Sequence, residues 1–254
     1  MARKHTVRLI VLALLLAACD GAGPSSSVEP VRVVSDPHTV CPNGEELALR
    51  VDARGEQVLR GDIDGDGAED EVWLASDPSV ADPCSDFLAV ETADRIYWAV
   101  TNRSDTPSSL ETPTLNSLSE IDEEVGKEIV VNLEAGASTQ FVGVFKLTRA
   151  GLERMVGDGE GLGPFGTEIE GLFAYGGSVG HLEAVDCTQD GLVVMSVGLP
   201  VGAAADAYKI ERRFFTSSYT AFVLEEELTE KHIVQGLKVD DFPEFAASPF
   251  GSCD

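Results

Sequence analysis

Positive charge is scarce in this chain. Eighteen Lys and Arg stand against 44 Asp and Glu, a formal charge of −26. DNA, RNA and heparin are thereby excluded as partners, because most of the surface repels polyanions. Histidine is rarer still: beyond His5, only His38, His181 and His232 occur, too scattered for a three-histidine zinc centre. The cysteines contain no CxxC pair, which argues against a thiolate zinc cluster. No stretch of a dozen residues or more carries a capped apolar stripe at helical spacing, so long amphipathic helices are not expected. The acids are spread along the chain, and no pair stands out for glycoside hydrolysis. What remains, 43% hydrophobic and 24% charged residues over 254 positions, is enough to build a core and excludes wholesale disorder.

The N-terminus sets the compartment. Arg3, Lys4 and Arg8 form a positive region around the start of an apolar run, Val7 to Ala18, that is shorter than the ~20 residues of a bilayer span. It reads as the core of an export signal. The run ends in Leu16-Ala17-Ala18-Cys19, which resembles the lipobox of bacterial lipoproteins. The resemblance implies cleavage before Cys19, acylation of its thiol and new amino group (a palmitate-type modification), and a lipid-anchored protein on the extracytoplasmic face of the cell membrane, periplasmic if the envelope is Gram-negative. In enteric bacteria an Asp such as Asp20 after the lipidated Cys resembles an inner-membrane retention signal. Residues 19–35 open with Asp20-Gly-Ala-Gly-Pro-Ser-Ser-Ser, a Gly/Ser/Pro-rich tether. The expected organisation is a signal peptide over 1–18, a tether over 19–35 and one domain over 36–254.

Beyond Cys19, Cys41, Cys84, Cys187 and Cys253 make an even set in an exported chain, which favours two disulfides. Three connectivities are open. Cys41–Cys84 with Cys187–Cys253 is preferred, since each bridge then closes one end of the domain.

The body reads as all-β. Short apolar or alternating runs such as Glu71-Val-Trp-Leu74, Phe87-Leu-Ala-Val90, Ile96 to Val100, Glu128 to Asn132, Gln140 to Leu147, Gly191 to Met195, Tyr208 to Phe215 and Tyr219 to Leu224 recur between turn residues. Leu224 to Lys231 fits either a turn or two of helix or a charged strand end. Trp73 and Trp98 fall in strands, where core packing is the default role, ahead of a sugar-stacking platform. An acidic loop followed by a hydrophobic strand occurs three times at a period of roughly 60 residues: before Glu71, before Ile129 and before Leu192. Such a period fits propeller-like blades or packed β-meanders, with a β-sandwich as the alternative.

The first loop carries the chemistry. Asp62, Asp64 and Asp66 alternate with Ile63 and Gly65, and Gly67, Ala68 and Asp70 follow. Alternate positions of a curled loop point to one centre, and four close carboxylates repel one another until a divalent cation relieves them. Hard oxygen donors at this spacing suit Ca²⁺. The loop departs from an EF-hand, since Trp73 stands at position 12 and a strand follows. It resembles instead the calcium loops of FG-GAP/VCBS-type repeats, and that resemblance implies a structural Ca²⁺ held by Asp62, Asp64, Asp66, the Ala68 carbonyl and Asp70. The second copy, Asp122, Glu123 and Glu124 with Lys127 nearby, and the third, Asp186 and Asp190, are degraded and are assigned no metal.

Two motifs compete. Gly176-Gly-Ser178-Val-Gly180 fits G-x-S-x-G, but a nucleophile elbow needs a following helix, and His181 to Cys187 is too short for one. Gly161-Leu-Gly163-Pro-Phe-Gly166 fits G-x-G-x-x-G, but Pro164 and the missing helix argue against a dinucleotide turn. The expectation is a non-enzymatic lipoprotein with a structural Ca²⁺ loop that binds or scaffolds an envelope protein or glycan and no nucleic acid. The alternatives are an envelope serine hydrolase using Ser178 and an acidic inhibitor of a basic envelope enzyme.

Overall fold

The structure is a computed structural model of the full chain, and it describes residues 57–76, 85–101, 113–158, 172–178, 180–202, 207–235 and 242–253. All of them belong to one compact unit, Val40–Asp254. Cys19, Cys41 and Cys84, the tether, and the G-x-G-x-x-G run at 161–166 lie outside the described residues.

The protein is all-β, as its alternating apolar runs require. Strands β1 (Val58–Gly61), β2 (Asp70–Ser76), β3 (Asp86–Glu91) and β4 (Ile96–Val100) make an antiparallel meander in chain order. The path then repeats. Strands β5 (Thr114–Ser119), β6 (Glu128–Ala135), β7 (Thr139–Leu147) and β8 (Leu152–Arg154) pair antiparallel in the same succession. In each meander the acidic loop joins the first strand to the second.

The second meander does not stand alone as a propeller blade. β7 is long enough to pair with β8 at one end and with β10 (Phe173–Ser178) at the other. The sheet continues through β11 (His181–Cys187), β12 (Val193–Val201), β13 (Ala207–Ser218) and β14 (Ala221–Leu224) to β9 (Val156–Asp158), with β15 (Glu230–Gln235) on the flank of β13. Residues 152–158 thus touch both β7 and β14, and the sheet is rolled without closing into a barrel. The result is packed β-meanders. The segment left open between helix and strand end is a 3₁₀ turn, Glu226–Leu228, followed by β15.

Two cores explain the periodicity. Ile129, Val131 and Leu133 of β6 face Val72, Leu88 and Val90 of the first meander, with Phe145 and Leu172 completing the layer. Val130 points the other way, into the rolled sheet, where Val142, Val144, Phe173, Val193, Phe215, Phe222 and Phe250 meet. β6 therefore reads as an unbroken apolar run because both of its faces are covered. Phe173 sits edge-on to Phe215, Phe222 and Phe250 at 6.1, 4.9 and 5.4 Å. Trp73 packs edge-to-face on Trp98 at 6.1 Å and is 3% exposed, so Trp73 is a core residue.

The C-terminal turn pins the ends of two strands. Cys187 and Cys253 are disulfide-bonded, as the preferred connectivity has it. The Glu120 N–H donates to the Cys253 carbonyl at 2.8 Å, and Asp186 accepts from the Ser252 N–H and hydroxyl at 2.7 and 2.8 Å. Phe250, buried and in the left-handed region at φ 57°, donates its N–H to Val185.

Candidate metal centre

The first loop spans residues 62–69 between β1 and β2, and its carboxylates shape it. Asp62 accepts from the N–H groups of Gly65 and Gly67 at 2.8 and 3.0 Å. Asp70, 3% exposed at the start of β2, accepts from Ile63 and Asp64 at 2.8 and 3.2 Å. Asp64 accepts from Asp66, and Asp66 from Ala68. Ile63 turns its side chain into the core between the sheets, which fixes the strand-to-loop bend. Gly65 and Gly67 sit at φ 77° and 86°, where a Cβ is disfavoured.

Folding brings three of the expected ligands to one focus. Carboxylate oxygens of Asp62, Asp64 and Asp70 lie within 4.8 Å of one another. Two oxygens that each sit about 2.4 Å from a common Ca²⁺ are at most about 4.8 Å apart, so the spacing fits such an ion. Asp66 lies outside this group, its carboxylate turned to the Ala68 N–H, and both residues are exposed. Among the described residues no ammonium or guanidinium pairs with Asp62, Asp64, Asp66 or Asp70. The consequence appears at Asp64: burial, together with the charges of Asp70, Asp66 and Asp62, raises its pKa despite the opposing Asp66 N–H.

The second loop, residues 120–127, packs directly against the first. The Lys127 N–H donates to the Asp62 carbonyl at 2.9 Å. A Cβ on Gly126, at φ 104°, would lie 2.4 Å from the Ile63 carbonyl oxygen. Sequence proximity points to Lys127 as the local positive charge, but its ammonium reaches only Glu120, at 3.7 Å. The cation inside the loop is Lys146 of β7. Its ammonium contacts Asp122, lies 2.8 Å from Glu124 and 3.8 Å from Glu128, and its side chain is 6% exposed. Burial pulls the Lys146 pKa down, and hydrogen bonds from Asp122 and Glu124 more than offset that, holding it above the usual lysine value. Burial and the Asp122 charge push Glu128 up to about 7, against the Ile121 N–H and Lys146. Beside this loop opens a cleft of about 400 Å³ lined by Asp122, Glu124, Asp190, Thr216, Ser217 and Tyr219. The third acidic segment holds no such cluster: Asp186 is committed to Cys187 and Ser252.

Ser178 ends β10 in a hairpin with β11, so a strand follows it where a nucleophile elbow requires a helix. Its hydroxyl accepts from the Gly180 N–H at 3.2 Å. The hydroxyl that meets His181 is that of Ser138, in the β6–β7 turn, 3.1 Å from Nε2. His181 Nδ1 lies 2.9 Å from the Glu183 carboxylate, which is 1% exposed and also accepts from Thr139. No motif marks Ser138; the β7–β10 pairing brings its turn beside the β10–β11 hairpin. The chain matches no protein-family model, no curated protein and no solved structure.

Proposed function

We propose that this is a non-enzymatic, lipid-anchored envelope protein whose first acidic loop is a structural Ca²⁺ site and whose sheets scaffold or bind an envelope protein or glycan. The observation that carries the metal is the convergence of Asp62, Asp64 and Asp70 with no protein cation beside them. An ion supplied from outside the cell, where calcium is plentiful, would neutralise them and stiffen the β1–β2 turn. Asp62, Asp64 and Asp70 would hold it, with water completing the shell. The Leu16-Ala-Ala-Cys19 sequence supports the anchor. Calcium titration of the full-length chain in detergent tests the site: one ion is expected for the native chain and none for Asp64→Asn. Zero uptake by the native chain refutes it. Labelling by a palmitate analogue, abolished in Cys19→Ser, tests the anchor.

A second reading rests on Ser138. With Nδ1–H donating to buried Glu183, the neutral His181 ring presents Nε2 as an acceptor to the Ser138 hydroxyl, the arrangement that activates a serine nucleophile. Labelling by a fluorophosphonate probe that disappears in Ser138→Ala supports it, and an unlabelled native protein ends it.

A further inference from the structure

The two acidic loops are built on one plan. Glu120, Asp122, Glu124, Gly126 and Glu128 fall where Asp62, Asp64, Asp66, Ala68 and Asp70 fall, with Ile121 matching Ile63. The internal bonds match too. Ile63 donates to Asp70 at 2.8 Å and Ile121 to Glu128 at 2.8 Å. Asp66 donates to Asp64, and Glu124 to Asp122. Both isoleucines are 2% exposed, each pinning its loop to a core.

The strand that passes behind each loop differs in one residue type. Register sets the correspondence. Beyond the pair Ile129–Phe145, the next residues of β6 and β7 are Glu128 and Lys146; beyond Glu71–Glu91, the next are Asp70 and Thr92. Thr92 is buried and spends its hydroxyl and N–H on the Arg95 carbonyl, at 3.3 and 3.0 Å. The first loop thus has a short neutral side chain where the second has a primary ammonium.

We infer that Lys146 is the resident cation of the second loop: its ammonium occupies the place of a metal ion among Asp122, Glu124 and Glu128, and a chain with Thr at that position would take a divalent cation there instead. Both the charge and the access are in place. The ammonium sits among three carboxylates with its side chain almost fully covered, a position that a carboxylate cluster gives to a cation and that an unpaired lysine would avoid. The adjoining cleft exposes Asp122 and Glu124 to solvent, so an ion and its waters can reach the site. One loop therefore depends on the calcium outside, and its neighbour does not. Because Lys127 and Gly126 of the second loop brace the backbone of Asp62 and Ile63, the permanently neutralised loop is a fixed wall for the ion-dependent one.

The expectation of a second ion rests on the first loop's being a calcium site, and the test separates the two. Calcium stoichiometry is measured on the full-length chain for the native sequence, Lys146→Thr, Asp64→Asn and the double variant, each with a melting curve in chelator and in saturating calcium. The inference expects one, two, zero and one ions. It also expects Lys146→Thr in chelator to melt roughly 10 °C lower, with calcium restoring most of the loss. If the native chain binds none and Lys146→Thr binds one, the first-loop proposal fails and this inference stands. If Lys146→Thr gains no ion and melts in chelator like the native chain, the inference is overturned. Should Lys146→Thr not fold in either condition, the variant Lys146→Thr with Asp122→Asn and Glu128→Gln decides. Recovery of folding without calcium supports a charge role for Lys146, and continued failure to fold assigns it to packing and overturns the inference.

Discussion

Asp64→Asn makes a sharp test of the first loop because its effect changes sign with calcium. In chelator, Asp64 is one of several acids crowded without a counter-ion, and its pKa is raised by burial and by Asp70, Asp66 and Asp62. Replacing its charge relieves that repulsion, so the calcium-free variant should melt at or slightly above the native chain. The Asp66 N–H keeps an acceptor in the Asn side-chain carbonyl, and the turn survives. In calcium the order reverses. An ion at about 100 times its dissociation constant stabilises the fold by about 2.7 kcal/mol. For a domain of this size each kcal/mol moves the midpoint by about 2–4 °C, which predicts a native shift of roughly 5–11 °C. The variant, short of one charged ligand, should show little or none of it. Differential scanning fluorimetry on both chains, in EDTA and in millimolar CaCl₂, reads all four midpoints. Parallel shifts in the two chains, or none in the native one, would refute the reasoning. A variant that melts well below native in EDTA would mean that Asp64 is structural irrespective of metal.

Three further outcomes follow from the same geometry. Glu128 is held near 7 in the folded chain against an ordinary 4.5, so the native state binds the extra proton and stability should fall as pH rises from about 4.5 through 7, by up to about 3 kcal/mol, then level off; urea midpoints in EDTA between pH 4.5 and 8 should show this slope in the native chain and a flatter one in Glu128→Gln. Gly126→Ala places a Cβ against the Ile63 carbonyl at a positive φ, so it should lower the melting midpoint and weaken calcium uptake at a site whose carboxylates it does not touch, whereas unchanged calcium affinity would mean that the loops are independent. Replacing Cys187 and Cys253 by Ser opens a bridge spanning 66 residues, for which chain entropy predicts a loss of about 4 kcal/mol, read as a lower guanidinium midpoint under non-reducing conditions.

Local patterns were enough for the elements. Alternation and short apolar runs identify β2, β3, β6, β7 and β12 because each strand's burial follows from its own residues, and Asp62, Asp64 and Asp70 are legible as a cluster because a loop of nine residues must curl onto itself. Asp66 was read as a ligand on the same spacing, yet its carboxylate is spent on the Ala68 N–H within the turn, a choice that spacing does not encode. The propeller-like alternative required blades that end. β7 instead runs on to pair with β10, and nothing in its composition announces which neighbour it takes at each end.

By itself, then, the chain determined its strand content, its strong negative charge, its lipobox-like N-terminus and the place of its acidic loops, all properties of neighbours along the backbone. Only the tertiary structure decided what neutralises each loop. Lys127 lies inside the second acidic segment in sequence and points to Glu120, while Lys146 reaches the carboxylates from the next strand, because cross-strand register brings residues far apart in the chain to hydrogen-bonding distance. The same register sets Thr92 behind the first loop and moves His181 from Ser178 to Ser138. A charge is placed by the sheet it stands on, and no count of residues along the chain reveals which strand will pass behind it.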